Sequence, residues 1–244
     1  MMDPKNSPDN GSTDTPTRTV VVTPTFNESE SLPTLVKRLR SAVTDLHIIV
    51  VDDGSPDGTA ALARTLNQGD ITVIERAGKQ GLASAYLEGF TVAFGLNAKR
   101  IVQMDADLSH DPNDVPRLTA SQSALAIGSR YVPGGGTKNW PVQRRLLSRF
   151  GSLWARGWLG MPYRDLTSGF LSWDPETLHK LVQRPIHSDG YAFQVELKWR
   201  AFTADVSIEE YPIVFTERIG GTSKMSRAIA LEAAWIVPSF RWSR

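Results

Sequence analysis

Cysteine is absent from the 244-residue chain, so neither a disulfide nor a thiolate metal site contributes to its stability or chemistry. That fits a reducing compartment, and a cytoplasmic location is expected. Net charge is nearly absent too: 27 Lys and Arg stand against 26 Asp and Glu, leaving +1. A nucleic-acid partner held by general electrostatics finds no support in that balance. No run reaches the roughly 20 apolar residues of a spanning helix, and the first residues lack the apolar stretch of a secretory signal. The chain is expected not to cross a membrane by itself. Two phosphate-binding signatures are also missing. Neither Gly-x-Gly-x-x-Gly nor Gly-x-x-x-x-Gly-Lys-Ser/Thr follows the first β-branched run, which argues against a dinucleotide fold and a P-loop.

Residues 1–17 are Asp, Asn, Ser, Thr and Pro with almost no apolar content, and burial there cannot offset the entropy of ordering. A disordered N-terminal arm is expected. The remainder, 18–244, with 41% hydrophobic residues in the chain as a whole, has room for one sizeable core and is expected to be a single domain. From Thr19, short β-branched runs alternate with helical patterns. Strands are expected at 19–23, 47–51, 71–74 and 101–104. Leu32, Leu35, Val36, Leu39 and Val43 share one face of an intervening helix, residues 59–66 form the next, and Leu82, Ala85, Tyr86, Gly89, Phe90 and Ala93 mark a third. The order β-α-β-α-β-α-β predicts an α/β fold with a mostly parallel central sheet flanked by helices. Further on come a strand at 124–128, a basic helix at 143–158, a helix opened by Asp174-Pro175, a mixed segment at 191–215 and a final helix at 229–240. That last stretch, with Trp235 and Trp242 nearby, suits either core packing or a membrane surface.

Polar loops follow three of the strands, at Pro24 to Glu28, at Asp52 to Asp57 and at Asp105 to His110. In an open α/β sheet such carboxyl-end loops converge on one crevice, so the three are expected to form one site. Asp105 and Asp107 are two residues apart at a strand end. One can face a metal while the other holds a ligand, and a hard cation such as Mg2+ or Mn2+ takes oxygen donors and substrate phosphates together. Two acidic strand ends side by side are costly without a cation or a hydrogen-bonding ligand. His110 reads as a loop-ordering residue rather than a general base. Arg130, Arg144, Arg145, Arg149, Arg218 and Lys224 supply phosphate-binding chemistry in the second half.

These residues resemble a known family. Pro24-Thr-Phe-Asn-Glu28, Val50-Val-Asp-Asp-Gly-Ser-Pro-Asp-Gly-Thr59, Met104-Asp-Ala-Asp-Leu-Ser-His110, Gly128-Ser-Arg-Tyr131, Gly134-Gly-Gly136, Thr167-Ser-Gly-Phe170 and the stretch from Phe215 to Lys224 together are similar to the dolichol-phosphate mannose synthases and bacterial polyprenol monophosphomannose synthases, within the family-2 glycosyltransferases. The resemblance implies a GT-A fold and inverting transfer of mannose from GDP-mannose to polyprenyl phosphate. It implies that Pro24, Phe26, Glu28 and Asp53 contact the guanosine portion, that Asp105 and Asp107 are catalytic, that Asp107 binds a divalent cation, Mg2+ or Mn2+, and that Asp105 contacts the sugar nucleotide or the same cation. Ser109, where some members have Gln, would be a third metal ligand. Arg130, Arg144 and Ser148 would hold the lipid phosphate or the diphosphate, with Arg130 also catalytic, while Arg218 and Lys224 would close over the nucleotide phosphates. The implied partners are a membrane surface, reached from the cytoplasmic face through C-terminal amphipathic or interfacial helices, and a membrane-spanning protein. Residues 144–158 interleave Arg with Leu, Phe and Trp, as an interfacial helix or an exposed basic edge would. The motifs alone leave open a UDP-glucose-dependent polyprenyl-phosphate glucose synthase and, in another class, a non-catalytic nucleotide-sugar-binding scaffold.

Overall fold

The structure, a computed structural model, describes residues 18–217 and 237–242. The expected N-terminal arm, Arg218, Lys224 and most of the expected final helix lie outside the described residues. β1 (Arg18–Thr25), α1 (Leu32–Ala42), β2 (Leu46–Asp52), α2 (Thr59–Leu66), β3 (Ile71–Glu75), α3 (Leu82–Phe94) and β4 (Ala98–Gln103) follow the expected alternation. Next come α4 (Val115–Thr119), β5 (Leu125–Ser129), β6 (Gly136–Lys138), α5 (Val142–Leu159), β7 (Leu171–Trp173), α6 (Pro175–Val182), α7 (Gly190–Thr203), β8 (Ile208–Pro212) and β9 (Val214–Thr216).

Seven strands form one sheet in the order β3-β2-β1-β4-β7-β5-β8, and β6 pairs with β9 as a separate parallel ribbon. Only β7 runs antiparallel, inserted between β4 and β5. Side chains alternate across a strand, so each β-branched run feeds two cores. Val20, Val22, Ile49 and Val51 pack under α3, α6 and α7, while Val21, Ile48 and Val50 pack against α1, α2 and α4. Burying each such side chain contributes about 1.5–3 kcal/mol. Gly89 lets α3 approach the sheet, because a Cβ there would lie 2.3 Å from Val22 Cγ1.

The segment expected to be mixed contains α7, which is buried around nearly its whole circumference, including Gln194, Glu196 and Lys198. Asp174 caps α6 as its Asp-Pro start predicts, accepting the Thr177 N–H at 2.8 Å. A third cluster joins α5 and α7 to Val237 and Phe240, and the Phe240 carbonyl accepts the Trp199 indole N–H at 3.1 Å. The end of the C-terminal stretch is therefore core packing.

Candidate active site

The first two polar loops are sewn together by the carboxylates that follow β2. Asp52, fully buried, accepts hydrogen bonds from Thr25 Oγ1 at 2.8 Å, from Ser55 Oγ at 2.6 Å and from the Ser55 N–H at 2.8 Å. Asp57 accepts the Ser29 N–H at 3.0 Å and the Thr59 hydroxyl at 2.6 Å. Both acids order backbone. Asp53 instead lines the cavity and pairs with Arg76 at 2.7 Å. Burial pushes the Asp53 carboxyl upward from its usual range, against the opposing pull of Arg76. Arg76, 2% exposed, also donates to Ser84 Oγ at 2.5 Å. Lys79 places its ammonium 3.6 Å from the centre of the Phe26 ring, a cation–π contact at the same end of the cavity.

After β4 the chain turns sharply. Leu108 takes a positive φ of 61°, strained for a leucine, between Asp107 and Ser109. The Ser109 N–H donates to Asp107 Oδ1 at 3.1 Å, and the Asp105 N–H donates to His110 Nδ1 at 3.2 Å. His110 is enclosed, stacked on Phe170 and edge-on to Phe215. Burial lowers its pKa to about 4, so the ring is neutral near pH 7, with its proton on Nε2 because Nδ1 accepts. It orders the acidic loop, as its position suggested. Asp105 and Asp107 both line the cavity. The Ser109 hydroxyl is buried, has no hydrogen-bond partner among the described residues and is not part of the cavity wall.

Beyond β5 the charge is positive. Arg130, 6% exposed, donates from Nε and Nη2 to the two Asp165 oxygens, each at 2.7 Å, and its own N–H reaches Asp165 at 2.9 Å. Burial would push the Asp165 carboxyl up, but the charge and hydrogen bonds of Arg130 hold it below its ordinary value. Arg130 Nη2 also reaches Thr167 Oγ1 at 2.8 Å, and Ser148 accepts the Tyr131 hydroxyl at 2.7 Å. Arg144 stacks over Trp140, 4.3 Å from the ring centre, and pairs with Glu217.

One cavity of about 430 Å³ connects these groups. Pro24, Phe26, Glu28 and Asp53 contribute to its wall, as do Asp105 and Asp107, and Arg130, Arg144 and Ser148. The strand order explains the arrangement: β1 and β2 bring Pro24, Phe26, Glu28 and Asp53, β4 brings the acidic pair, and β5 with α5 brings the cations. Three loops predicted to meet do meet.

Residues 20–174 match the model of Glycosyl transferase family 2. The chain belongs to that family. Among family members, it is 45% identical to polyprenol monophosphomannose synthase of Mycolicibacterium smegmatis over 226 residues, covering 90% of this chain and 85% of that protein. It is 42% identical to undecaprenyl-phosphate mannosyltransferase of Micrococcus luteus over 229 residues, covering 92% and 93%. In structure it resembles glucosyl-3-phosphoglycerate synthase of Mycobacterium tuberculosis in complex with Mn2+, UDP-glucose and phosphoglyceric acid, with a TM-score of 0.67 at 19% identity, covering 93% of this chain and 80% of that one. The fold is that of the GT-A glycosyltransferases.

Sequence reasoning missed several residues that line the cavity or hold its wall in place. Arg76, Asp165 and Lys198 act through partners far along the chain, and no local motif announces them. Asp189 also lines the cavity and accepts the Ala83 N–H at 2.7 Å, capping α3 from the start of α7. Gly81 makes room for it, since a Cβ there would lie 2.3 Å from Asp189 Oδ2. The one available signal was Gly81 itself, a glycine directly before a helix.

Proposed function

We propose that this protein transfers mannose from GDP-mannose to polyprenyl phosphate with inversion at the anomeric carbon. One observation carries the reading: the sheet order sets the acidic pair between the wall of Pro24, Phe26, Glu28 and Asp53 and a cationic wall, which suits a donor and an acceptor approaching from opposite sides. The names of the two mannosyl-transferring relatives support the sugar and the acceptor class. Phe26 and Lys79 offer a flat, cationic platform for a base, and Asp53, fixed by Arg76, offers a carboxylate for its polar edge or the ribose.

The acceptor is a phosphate monoester with a second pKa of about 6, so its nucleophilic oxygen is ionised at neutral pH. A general base is unnecessary, and the neutral, enclosed His110 supplies none. Arg130 and Arg144 bind and orient the phosphate, with Ser148 beside them on the wall. Asp165 keeps Arg130 in one rotamer, so little orientation is lost before reaction. Attack from the β5 side, opposite a diphosphate leaving toward β1 and β2, inverts the α-linked donor to a β-mannosyl phosphate.

The acidic pair fits a divalent cation, Mg2+ or Mn2+. Asp105 and Asp107 are two hard-oxygen donors on one cavity wall, and no group of three His, Cys, Asp or Glu gathers among the described residues. Two carboxylates leave coordination positions for diphosphate oxygens and water, as such ions prefer. Ser109 serves through the backbone N–H that orients Asp107. When bound, the cation would stabilise charge on the departing diphosphate. Arg218 and Lys224 are assigned to the same diphosphate.

Access to the lipid falls to α5. Its inward face is Ser148, Ser152, Ala155 and Leu159, while Val142, Leu146, Phe150 and Leu153 are 56–66% exposed at spacings of four, four and three. Large apolar groups outward, with exposed Arg145 and Arg149 beside them, suit the surface of an anionic bilayer. Among the described residues no helix is long and apolar enough to cross a membrane. Peripheral attachment at the cytoplasmic face, aided by a membrane-spanning partner, completes the reading. Its test is Asp107→Ala: product formation from GDP-mannose and a short polyprenyl phosphate should vanish while thermal unfolding stays near wild type, and near-normal turnover would sink the role of the acidic pair.

A further inference from the structure

Three buried polar atoms lack hydrogen-bond partners among the described residues: Trp140 Nε1 and Arg144 Nε, on residues that line the cationic end of the cavity, and Glu217 Oε2, on the ion-pair partner of Arg144. Native structures leave few such groups, and each costs about 1–3 kcal/mol unless something answers it. They belong to one contact. Arg144 lies over Trp140, and its Nη1 pairs with Glu217 Oε1, while Nε of the same guanidinium and the second Glu217 oxygen go unused. An arginine with a well-seated carboxylate commonly uses two parallel donors, so this pairing is half made. Phe215, edge-on to Trp140, and the Glu217 N–H, bonded to the Lys138 carbonyl at 3.0 Å, fix the backbone on either side.

An unpartnered indole N–H and an unpartnered Nε on a guanidinium in a half-made pair describe an anion site larger than a carboxylate. A phosphate monoester has three terminal oxygens. One can take Arg144 Nη1, one Arg144 Nε, and one the indole N–H.

We infer that the Glu217 carboxylate is a built-in stand-in for the acceptor phosphate, holding Arg144 until the acceptor displaces it, and that the Trp140 indole N–H is a further phosphate-binding donor. This rests on the acceptor assignment above.

Glu217→Gln keeps the shape and removes the competing charge, and Trp140→Phe keeps the ring and removes the donor. Binding of inorganic phosphate and of a short-chain polyprenyl phosphate is measured by titration calorimetry for wild type and both variants. Glu176→Gln, the same charge change on a fully exposed helical pair, is the control for general electrostatics. Glu217→Gln should tighten binding of both phosphates about tenfold, Glu176→Gln should leave it unchanged, and Trp140→Phe should weaken it about tenfold. Steady-state KM for the lipid phosphate should move the same way, with KM for the nucleotide sugar within twofold. Unchanged or weaker phosphate binding in Glu217→Gln overturns the stand-in, as does equal tightening in Glu176→Gln. Unchanged binding in a folded Trp140→Phe overturns the indole donor. If wild type forms no lipid product yet the inorganic phosphate results hold, the acceptor assignment fails and the anion site stands.

Discussion

The buried Arg130–Asp165 pair gives the sharpest energetic prediction. Its side chains are 5% and 0% exposed, and Asp165 receives three hydrogen bonds from Arg130. In Asp165→Ala the buried guanidinium keeps its charge and loses both carboxylate oxygens. Removing one partner of such a pair costs about 3–5 kcal/mol. Against a typical domain stability of about 5–15 kcal/mol, that is about a fifth or more of the total. With a urea slope of about 2–3 kcal/mol/M for a chain of this size, the midpoint should fall by roughly 1–2 M, followed by tryptophan fluorescence. Arg130→Met with Asp165→Leu should recover part of the loss, because no charge remains buried, and the double-mutant cycle should give a coupling of at least about 2 kcal/mol. A loss below about 1 kcal/mol, or an additive cycle, would contradict the view that Asp165 holds Arg130 as a buried, coupled pair.

Lys198 predicts a pH dependence. Its ammonium is fully buried on the carbonyls of Ser168 at 2.7 Å, Gln194 at 3.1 Å and Leu166 at 3.2 Å, with Asp165, Arg130 and Glu210 as the charges that act on it. Burial lowers its pKa from 10.5 to about 7. Between those values the unfolded chain binds the extra proton, so this group makes stability rise with pH above about 7, by an amount on the order of a few kcal/mol by pH 10. Lys198→Met should abolish that rise in urea midpoints measured from pH 6 to 10, and a wild-type-minus-variant difference constant over that range refutes it. For α5, Leu146→Ser with Phe150→Ser should cut sedimentation with anionic vesicles at least tenfold while turnover of a detergent-solubilised short acceptor stays within about threefold. Unchanged vesicle binding would move the membrane contact elsewhere.

Much of this site was legible because strands buried on both faces must be apolar throughout, so the acids at 52–53 and 105–107 stood out as the places where strands end. Thr59 and Leu66 bound α2 as its pattern predicts. What stayed hidden has physical causes. The three-residue β7 is too short for any periodicity, yet it is the antiparallel strand that separates the acidic from the cationic half. α7 carries no apolar stripe because every face is covered, and Gln194, Glu196 and Lys198 are polar residues satisfied in the interior. Arg130 was picked for phosphate chemistry, but its dependence on Asp165, 35 residues away, is a tertiary fact. Ser109 was expected to present a hydroxyl to a metal; after the strained turn at Leu108 its backbone N–H donates to Asp107, and its hydroxyl is buried off the cavity wall.

The most direct test of the account is to incubate the purified protein with GDP-[14C]mannose or UDP-[14C]glucose, a short polyprenyl phosphate and Mg2+ or Mn2+, and to identify the lipid product. The account predicts a mild-acid-labile β-mannosyl phosphoryl lipid from GDP-mannose, dependent on divalent cation and lost in Asp107→Ala. Label in lipid from UDP-glucose alone, or an α-linked product, would contradict it.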